Sequence, residues 1–341
     1  MKIPQVEKLL RQETAVVVGC TEPAAIAYAT QAARKHRKKP LDLNDFTLRL
    51  SVSPEVRRNA DTAVVPGLGR RGVRAAAVAG LLSSSSGFNP FADLHPETGQ
   101  DLFRRRKWLV VETARRGGIY IRAEISGGDE SVTAEISGRH DHLTRITRDG
   151  EVIHSAAPMA ESPLTGLEEI GRLAGRRDKR LESLALDFIR RQVRGDASQG
   201  LATELAGLVR SRMVGEPLGV LTFTGSGNQG MFLGVPLRWL WESQGDDALP
   251  AAVFALLAQI HLSRIRKRIS DDCGLAIKAA PALAGGIAFG QGLSPTGIAR
   301  VMRNVRRRLE DIDCKGAMPG CGAKAIRCLR AVIEETGVKL S

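Results

Sequence analysis

The five cysteines are the residues of this 341-residue chain with the most chemistry to offer. Their number is odd and three of them crowd the last tenth of the chain, a pattern more typical of metal binding or catalysis than of a secreted disulfide framework. Cys314 and Cys321 lie seven residues apart in a glycine-containing loop, where two thiolates could converge on one metal. Cys273, 41 residues before Cys314, is a candidate third ligand.

Three thiolates without a fourth ligand predict a metal centre with an open position. Structural zinc sites and electron-transfer clusters usually have four protein ligands, whereas an open position suits a Lewis acid. A zinc site with three cysteines and one histidine is not favoured, because no histidine lies near these cysteines in the sequence. The closest one is His261. The alternative is that free cysteines are small buried hydrophobes, and Cys328, seven residues beyond Cys321, is predicted to be such a packing residue.

Cys20 stands alone in the first half of the chain, directly before a predicted helix. Thr21 can cap this helix, Pro23 suits its first turn, and the alanine-rich segment 21–37 favours helical structure. A thiol at a helix N-terminus has a lowered pKa, which makes Cys20 a candidate base or nucleophile. The alternative is that Cys20 is a buried residue that ends the apolar run before it.

Two further segments have residue types that suit carboxylate binding. The loop at residues 224–230 precedes an apolar helix and could present backbone amides and the side chains of Ser226 and Asn228 to an anion. It lacks the ending of a Walker loop and the context of a dinucleotide fingerprint. Arg58 and Asn59 lie between two strand candidates and offer a guanidinium and an amide to a carboxylate. A plain turn and a solvated basic loop are the respective alternatives.

The elements that must position these residues change character along the chain. Segment 46–52 alternates as a half-buried strand, and from 108 to 154 the period is two, with turns that contain glycine. This pattern predicts an antiparallel β-meander in one sheet. The sequence does not decide whether His140 or His142, after the third of these strands, faces a site.

The second half of the chain has helical periodicity almost to its end. Helices are predicted near residues 165–194, 199–213, 250–268, 294–309 and 322–336. The predicted fold class is α+β, with a mixed N-terminal part that contains the antiparallel β-meander, followed by a largely helical C-terminal part. We place the Cys20 loop and the meander in a domain at residues 1–160 and the other four cysteines in a helical part at 161–341, with a linker at 155–164.

Composition limits the classes of partner. The chain has 50 Lys and Arg against 37 Asp and Glu, a net charge of +13, which favours anionic substrates or partners. Aromatic residues make up only 4%, so a nucleic-acid partner that needs stacking platforms is not expected. The first residues are charged where a signal peptide needs an apolar stretch, and no run reaches the ~18 apolar residues of a membrane span. We therefore expect a cytoplasmic protein without a membrane partner, and a homodimer stays open.

Five short motifs occur in the order seen in the L-cysteine desulfidase family, which this chain resembles along most of its length. That family is similar to the alpha chain of iron-sulfur-dependent L-serine dehydratases. The motifs are GCTEP at 19–23, Arg58-Asn59 followed by VPG at 65–67, GSGNQG at 225–230, Cys273-Gly274, and the loop from Cys314 to Cys321.

The resemblance implies a 4Fe-4S cluster held by Cys273, Cys314 and Cys321, with one iron open to the substrate and no pyridoxal phosphate. Cys20 matches the proton acceptor proposed for the family. The implied activity is a lyase that removes the Cα proton and the β-substituent of a small L-amino acid, with L-cysteine as first choice. The products would be pyruvate, ammonia and sulfide. L-serine dehydration and a non-enzymatic basic binding protein that contains a metal are the alternatives.

Overall fold

The computed structural model describes residues 1–105, 107–157 and 164–339. A sheet dominates the first half of the chain and helices dominate the second. The predicted α+β fold class, with an N-terminal sheet part and a helical C-terminal part, is therefore confirmed. The predicted boundary between residues 160 and 161 and most of the predicted linker lie outside the described residues.

Ten strands occur within the described residues, and six of them form one sheet. The strands are β1 Thr14–Val18, β2 Thr47–Val52, β3 Val64–Val65, β4 Arg70–Arg71, β5 Leu109–Thr113, β6 Tyr120–Gly127, β7 Glu130–Ser137, β8 Leu143–Arg148, β9 Glu151–Ser155 and β10 Gly219–Phe223. The order across the large sheet is β5-β2-β6-β7-β8-β9. Strands β1 and β10 form a separate antiparallel pair that joins the two halves of the chain.

The predicted β-meander is present as β6 to β9, four consecutive strands that pair antiparallel. Strand β5, which we expected at the start of the meander, instead lies at the sheet edge and pairs in parallel with β2, with Leu109 opposite Leu48. The reason is that β2 occupies the position beside β6, where Leu50 lies opposite Ala123. The first strand of the period-two region is thus separated from the second by a strand from earlier in the chain.

Each predicted helical segment contains a helix, one of these segments is divided, and further helices lie outside them. The helices are α1 Ile3–Gln12, α2 Thr21–Lys35, α3 Pro54–Thr62, α4 Gly72–Leu82, α5 Gln100–Arg104, α6 Leu167–Gly175, α7 Lys179–Arg191, α8 Leu201–Val214, α9 Gly227–Gln244, α10 Leu249–Ile265, α11 Ala280–Gly290, α12 Pro295–Arg308 and α13 Cys321–Thr336. The segment predicted at 165–194 is divided into α6 and α7. Asp178 caps α7 by accepting the Arg180 amide at 2.9 Å, which starts a new helix.

Helix α2 packs between the large sheet and α4 and is buried along most of its length. Its alanines allow a close approach to α4. A Cβ at Gly80 of α4 would lie 2.3 Å from the carbonyl oxygen of Ala27, so only glycine permits this contact. The close packing fixes the direction of α2 and therefore the position of its N-terminus, where Cys20 lies.

One helical stretch among the described residues, Gly227–Ile265, is long and apolar enough to cross a membrane by length and composition alone. However, 72% of its most apolar part is buried inside the protein. The stretch contains α9 and α10, which pack in the helical core. The structure is that of a soluble protein with these helices at its centre.

Candidate functional site

A cavity of about 110 Å³ collects residues from both halves of the chain. Of the eight residues that the sequence proposed for the site, seven line this cavity: Cys20, Asn59, Ser226, Asn228, Cys273, Cys314 and Cys321. They come from distant segments, and four of them are predicted to act on the substrate while three are predicted to hold metal. The fold therefore brings the two predicted groups to one place.

Arg58 is the predicted residue that does not line the cavity. It lies on α3, where its guanidinium pairs with Asp271 and donates to the carbonyl oxygen of Ser270 at 2.9 Å. These two contacts hold the segment that precedes Cys273, and the role of Arg58 in substrate binding stays a prediction. Its neighbour Asn59, one position further along the helix, does face the cavity.

Two backbone hydrogen bonds join the segment of Cys273 to the segment of Cys314. The N–H of Cys273 donates to the carbonyl of Ile312 at 3.2 Å, and the N–H of Cys314 donates to the carbonyl of Asp271 at 2.7 Å. We call this pair of hydrogen bonds the backbone bridge. It places two cysteines side by side although 41 residues separate them in the sequence.

The loop from Cys314 to Cys321 is supported by α3. The hydroxyl of Thr62 accepts the N–H of Ala317 at 2.8 Å. Gly316 has a φ of +98°, and a Cβ there would lie 2.3 Å from the same hydroxyl oxygen, so the turn requires glycine. Cys321 is the first residue of α13, which fixes the other end of the loop.

The surroundings of Cys273 fit a thiolate ligand of an iron–sulfur cluster. Burial raises the pKa of the Cys273 thiol, and backbone amides of Leu275 and Ala276 that donate to the sulfur oppose this rise. Hydrogen bonds to the sulfurs are among the features that tune such clusters. All five cysteines are free thiols, so Cys314 and Cys321 are also available as donors.

Within the described residues, no three His, Cys, Asp or Glu side chains gather closely enough to hold a single metal ion. A cluster distributes its thiolate ligands over several irons, so the ligands need not converge on one ion. Cys273, Cys314 and Cys321, which line one cavity as free thiols, therefore have the chemistry of a cluster's donor set. Cys328 is fully buried on α13 and does not line the cavity, as expected of a packing residue.

Cys20 directly precedes α2, as predicted, and is the N-cap residue in place of the predicted Thr21, but its thiol is not activated by that position. Burial raises the pKa of Cys20 far above its usual value, and the carboxylate of Glu22 raises it further. The thiol donates to Oε2 of Glu22 at 3.5 Å. The expected lowering of the pKa by the helix N-terminus is therefore wrong, because burial and a neighbouring carboxylate outweigh the helix dipole.

Glu22, within the GCTEP motif, is a cavity-lining residue that the sequence analysis did not select. Its Oε1 accepts from Asn59 Nδ2 at 2.9 Å, and its Oε2 accepts from the Thr21 hydroxyl at 3.1 Å. Burial favours the neutral acid, but His140, the Asn59 amide and Arg212 together lower the pKa of Glu22 below its usual value. A buried carboxylate thus lies in hydrogen-bond contact with the thiol of Cys20.

His140 decides the question that the sequence left open about the two histidines. Its side chain is buried, with 5% of the residue exposed, and lines the cavity with Nε2 3.7 Å from Oε1 of Glu22. Neither ring nitrogen has a hydrogen-bond partner among the described residues. His142 lies outside the cavity, where its Nδ1 contacts the carbonyl of Ser137 at 3.1 Å.

The burial of His140 makes the stability of the fold sensitive to acid. Burial lowers the pKa of His140 below its usual value of 6.5, with Arg268 and Arg212 acting in the same direction and Glu22 and Asp141 against it. At a pH below 6.5, His140 binds a proton in the unfolded chain but stays neutral in the folded chain until its lowered pKa is reached. The free energy of unfolding therefore falls as the pH falls through this range.

We expect His140→Gln to remove this part of the acid sensitivity. In urea unfolding at about pH 7.5 and about pH 5.5, wild type should lose more free energy of unfolding between the two conditions than the variant does. His142→Gln is the matched control and should retain the wild-type loss. Equal losses in wild type and His140→Gln would contradict the assignment of His140 as a neutral buried side chain.

Two buried cations that the sequence analysis missed also line the cavity. Lys278 donates to the carbonyls of Lys267 and Arg268, both at 2.9 Å. Burial, and after it the positive charge of Arg268, lowers the pKa of Lys278 to about 8. The sequence could have indicated Lys278, because a lysine is unusual within an apolar, alanine-rich segment. Arg212 on α8 had no such signal, because its position in a polar helix end is ordinary.

The side chains of the 225–230 loop have partners inside the protein. The Ser226 hydroxyl accepts the N–H of Gln229 at 3.4 Å as the N-cap of α9. Asn228 accepts from Nη1 of Arg212 at 2.8 Å. The loop therefore orders the start of α9 and orients Arg212, and both side chains still line the cavity.

Fold and site together define an α+β protein with a cavity lined by thiols, a buried carboxylate and buried cations. No family model matches the chain. It is similar to proteins of Moorella thermoacetica, Oleidesulfovibrio alaskensis and Vibrio parahaemolyticus, with 29%, 26% and 25% identity. The alignments cover 95%, 96% and 93% of this chain and 85%, 85% and 84% of the relatives. Each relative is named UPF0597 protein, a name that states no activity.

Proposed function

We propose that this protein is an iron–sulfur-dependent lyase that removes the β-substituent of a small L-amino acid, with L-cysteine as the first substrate. The observation that supports this is the shared cavity: the thiols of Cys273, Cys314 and Cys321 and the thiol of Cys20 line it together. These are the residues at which the chain resembles the L-cysteine desulfidase family. Free thiols of this kind suit the reducing cytoplasm, where we place the protein.

A 4Fe-4S cluster bound by Cys273, Cys314 and Cys321 would supply a Lewis-acidic iron with an open position, so no pyridoxal phosphate is required. The chain's own residues hold the substrate and move its protons. The cavity of about 110 Å³ suits this task, since one water molecule needs only ~10–15 Å³ by a comparable measure. A ligand the size of several waters, such as a small amino acid, fits that space.

Proton transfer begins between Cys20 and Glu22. The thiol proton passes along the 3.5 Å contact to Oε2 of Glu22, which leaves a thiolate and a neutral acid. The thiolate accepts the Cα proton of the substrate, and the electron pair of that C–H bond forms the double bond of aminoacrylate as the bond to the β-substituent breaks. Glu22 then gives its proton to the departing sulfide, which restores the starting thiol and carboxylate.

Aminoacrylate tautomerises to an imine, and water hydrolyses the imine to pyruvate and ammonia. The buried surroundings of Glu22 support its part, because a carboxyl group in contact with both Asn59 and Thr21 is held in one orientation. The raised pKa of Cys20 and the lowered pKa of Glu22 keep the proton on the sulfur in the resting site, so this transfer is uphill, and the thiolate that it forms is a strong base.

The test is turnover by protein purified without oxygen. We expect L-cysteine to give sulfide, ammonia and pyruvate in equal amounts, measured by sulfide trapping and by coupled pyruvate reduction. L-Serine and D-cysteine are the comparison substrates. Deamination of L-serine without sulfide release from L-cysteine would assign the protein as a dehydratase. An iron-loaded sample that acts on neither amino acid would overturn the proposal.

A further inference from the structure

Arg212 is a buried guanidinium that is only partly paired. It has 3% of its surface exposed, lies on α8 and lines the cavity. Its Nη1 donates to Asn228 at 2.8 Å. Its Nε and Nη2 are buried and have no hydrogen-bond partner among the described residues. Buried donors without partners are rare and costly, so these two nitrogens require an explanation.

The other buried arginine and the other cavity-lining arginine of the described residues both have carboxylate partners. Arg238 pairs with Glu204 on α8, the same helix that carries Arg212. Arg268, which also lines the cavity, donates to both carboxylate oxygens of Glu13 at 2.7 and 2.5 Å. Arg212 makes no ion pair within the part of the chain that the structure describes. Of the two arginines that line the cavity in that part of the chain, Arg212 is therefore the one without a carboxylate partner.

The surroundings of Arg212 keep this edge in place. Asn228 holds the opposite nitrogen, which fixes the rotation of the guanidinium plane. A Cβ at residue 227 would lie 2.7 Å from Nε, and Gly227 leaves that space free. Glu22 makes no ion pair with Arg212 among the described residues, and its oxygens accept from Asn59 and Thr21.

We propose that Arg212 binds the α-carboxylate of an amino-acid ligand through its Nε and Nη2. The planar fork of arginine matches the two oxygens of a carboxylate, and the pairing fixes orientation as well as position. This inference rests on the proposed function for the nature of the substrate, and it names the group that anchors it. Arg212, Cys20 and Glu22 line the same cavity, so a carboxylate bound by Arg212 lies in the cavity that the thiol lines.

The test compares L-alanine with L-alaninamide, which differ in the carboxylate and have no β-substituent to lose. Binding to the anaerobically purified protein is measured by isothermal titration calorimetry. We expect wild type to bind L-alanine at least about 10-fold more tightly than the amide. In Arg212→Gln the affinity for L-alanine should fall about 10- to 100-fold, as for the loss of charged hydrogen bonds, with little change for the amide.

Arg210→Gln is the matched control, since Arg210 is an exposed arginine on the same helix that does not line the cavity. It should bind both compounds as wild type does. Arg212→Lys keeps the charge without the fork and should fall between wild type and Arg212→Gln. If Arg212→Gln does not fold, as judged by circular dichroism, the lysine variant decides: affinity equal to wild type overturns the proposal.

The binding experiment on Arg212 and the turnover experiment on the proposed lyase can fail independently. A protein that distinguishes acid from amide through Arg212 but releases no sulfide would support the carboxylate site and refute the lyase. An active lyase in which Arg212→Gln retains full discrimination would refute the carboxylate site alone. Equal binding of L-alanine and L-alaninamide by wild type would also overturn the inference.

Discussion

Replacing Cys20 by alanine is expected to lower kcat/KM for L-cysteine by about 10³-fold, within the range of about 10²- to 10⁴-fold for loss of a general base. The thiol is the proton acceptor in the proposed reaction, and alanine has no atom that can replace it. Bound iron and the visible spectrum should stay unchanged, because Cys20 is not among the predicted ligands. The measurement is steady-state sulfide release by oxygen-free protein at equal iron content.

Cys328→Ala is the matched control for this experiment. Cys328 is as buried as Cys20 but lies away from the cavity, so its loss should affect stability more than turnover. Glu22→Gln tests whether Glu22 accepts the thiol proton, because glutamine keeps the shape of the side chain but cannot take that proton. If Glu22 has this role, the variant should lose activity. Activity of Cys20→Ala within about threefold of wild type would show that another group removes the Cα proton.

The second large effect concerns iron. Serine at position 273, 314 or 321 should reduce the iron content from about four atoms per chain to below about one, with loss of the visible cluster absorbance. Each site provides one of the three proposed thiolates, and the other cavity thiol, Cys20, is held on Glu22 at the start of α2. Iron and labile sulfide are measured chemically on protein purified without oxygen.

Serine at Cys328 and alanine at Cys20 are the controls for iron loading, and both should retain the cluster. Each control removes one thiol, as each ligand variant does. The comparison therefore shows whether iron loss depends on which cysteine is replaced or only on how many remain. Full iron content in the Cys273, Cys314 and Cys321 variants would contradict the ligand assignment. It would also leave the cavity without the centre that the lyase requires.

Local sequence signals predicted the elements that depend on neighbouring residues. Helix α2 follows from an early proline and a run of alanines, although its N-cap is Cys20 and not the predicted Thr21, and β6 to β9 follow from a period of two. Helix α3, Pro54–Thr62, was missed, although Ser53 and Pro54 form a common helix start. The strand pattern around it led us to expect Arg58 and Asn59 in a loop.

The site depended on contacts that no local pattern records. The backbone bridge joins residues 41 positions apart, and sequence spacing alone leaves such a pairing undetermined. His140 and Arg212 reach the cavity only through tertiary packing, so ordinary positions in the sequence became buried functional ones. The Cys20 thiol shows the same limit. Burial raises its pKa by more than the helix N-terminus lowers it, and burial depends on tertiary packing.

The support that Thr62 gives to the loop at Gly316 makes the two halves of this chain interdependent. The hydroxyl belongs to the sheet half, whereas the loop carries two of the proposed ligands. A polypeptide that comprised only the helical half would have every proposed ligand but no scaffold to shape the turn between two of them. Such a fragment would need its missing half supplied in trans before it could mature, and gene fission at this point would separate the ligands from their support.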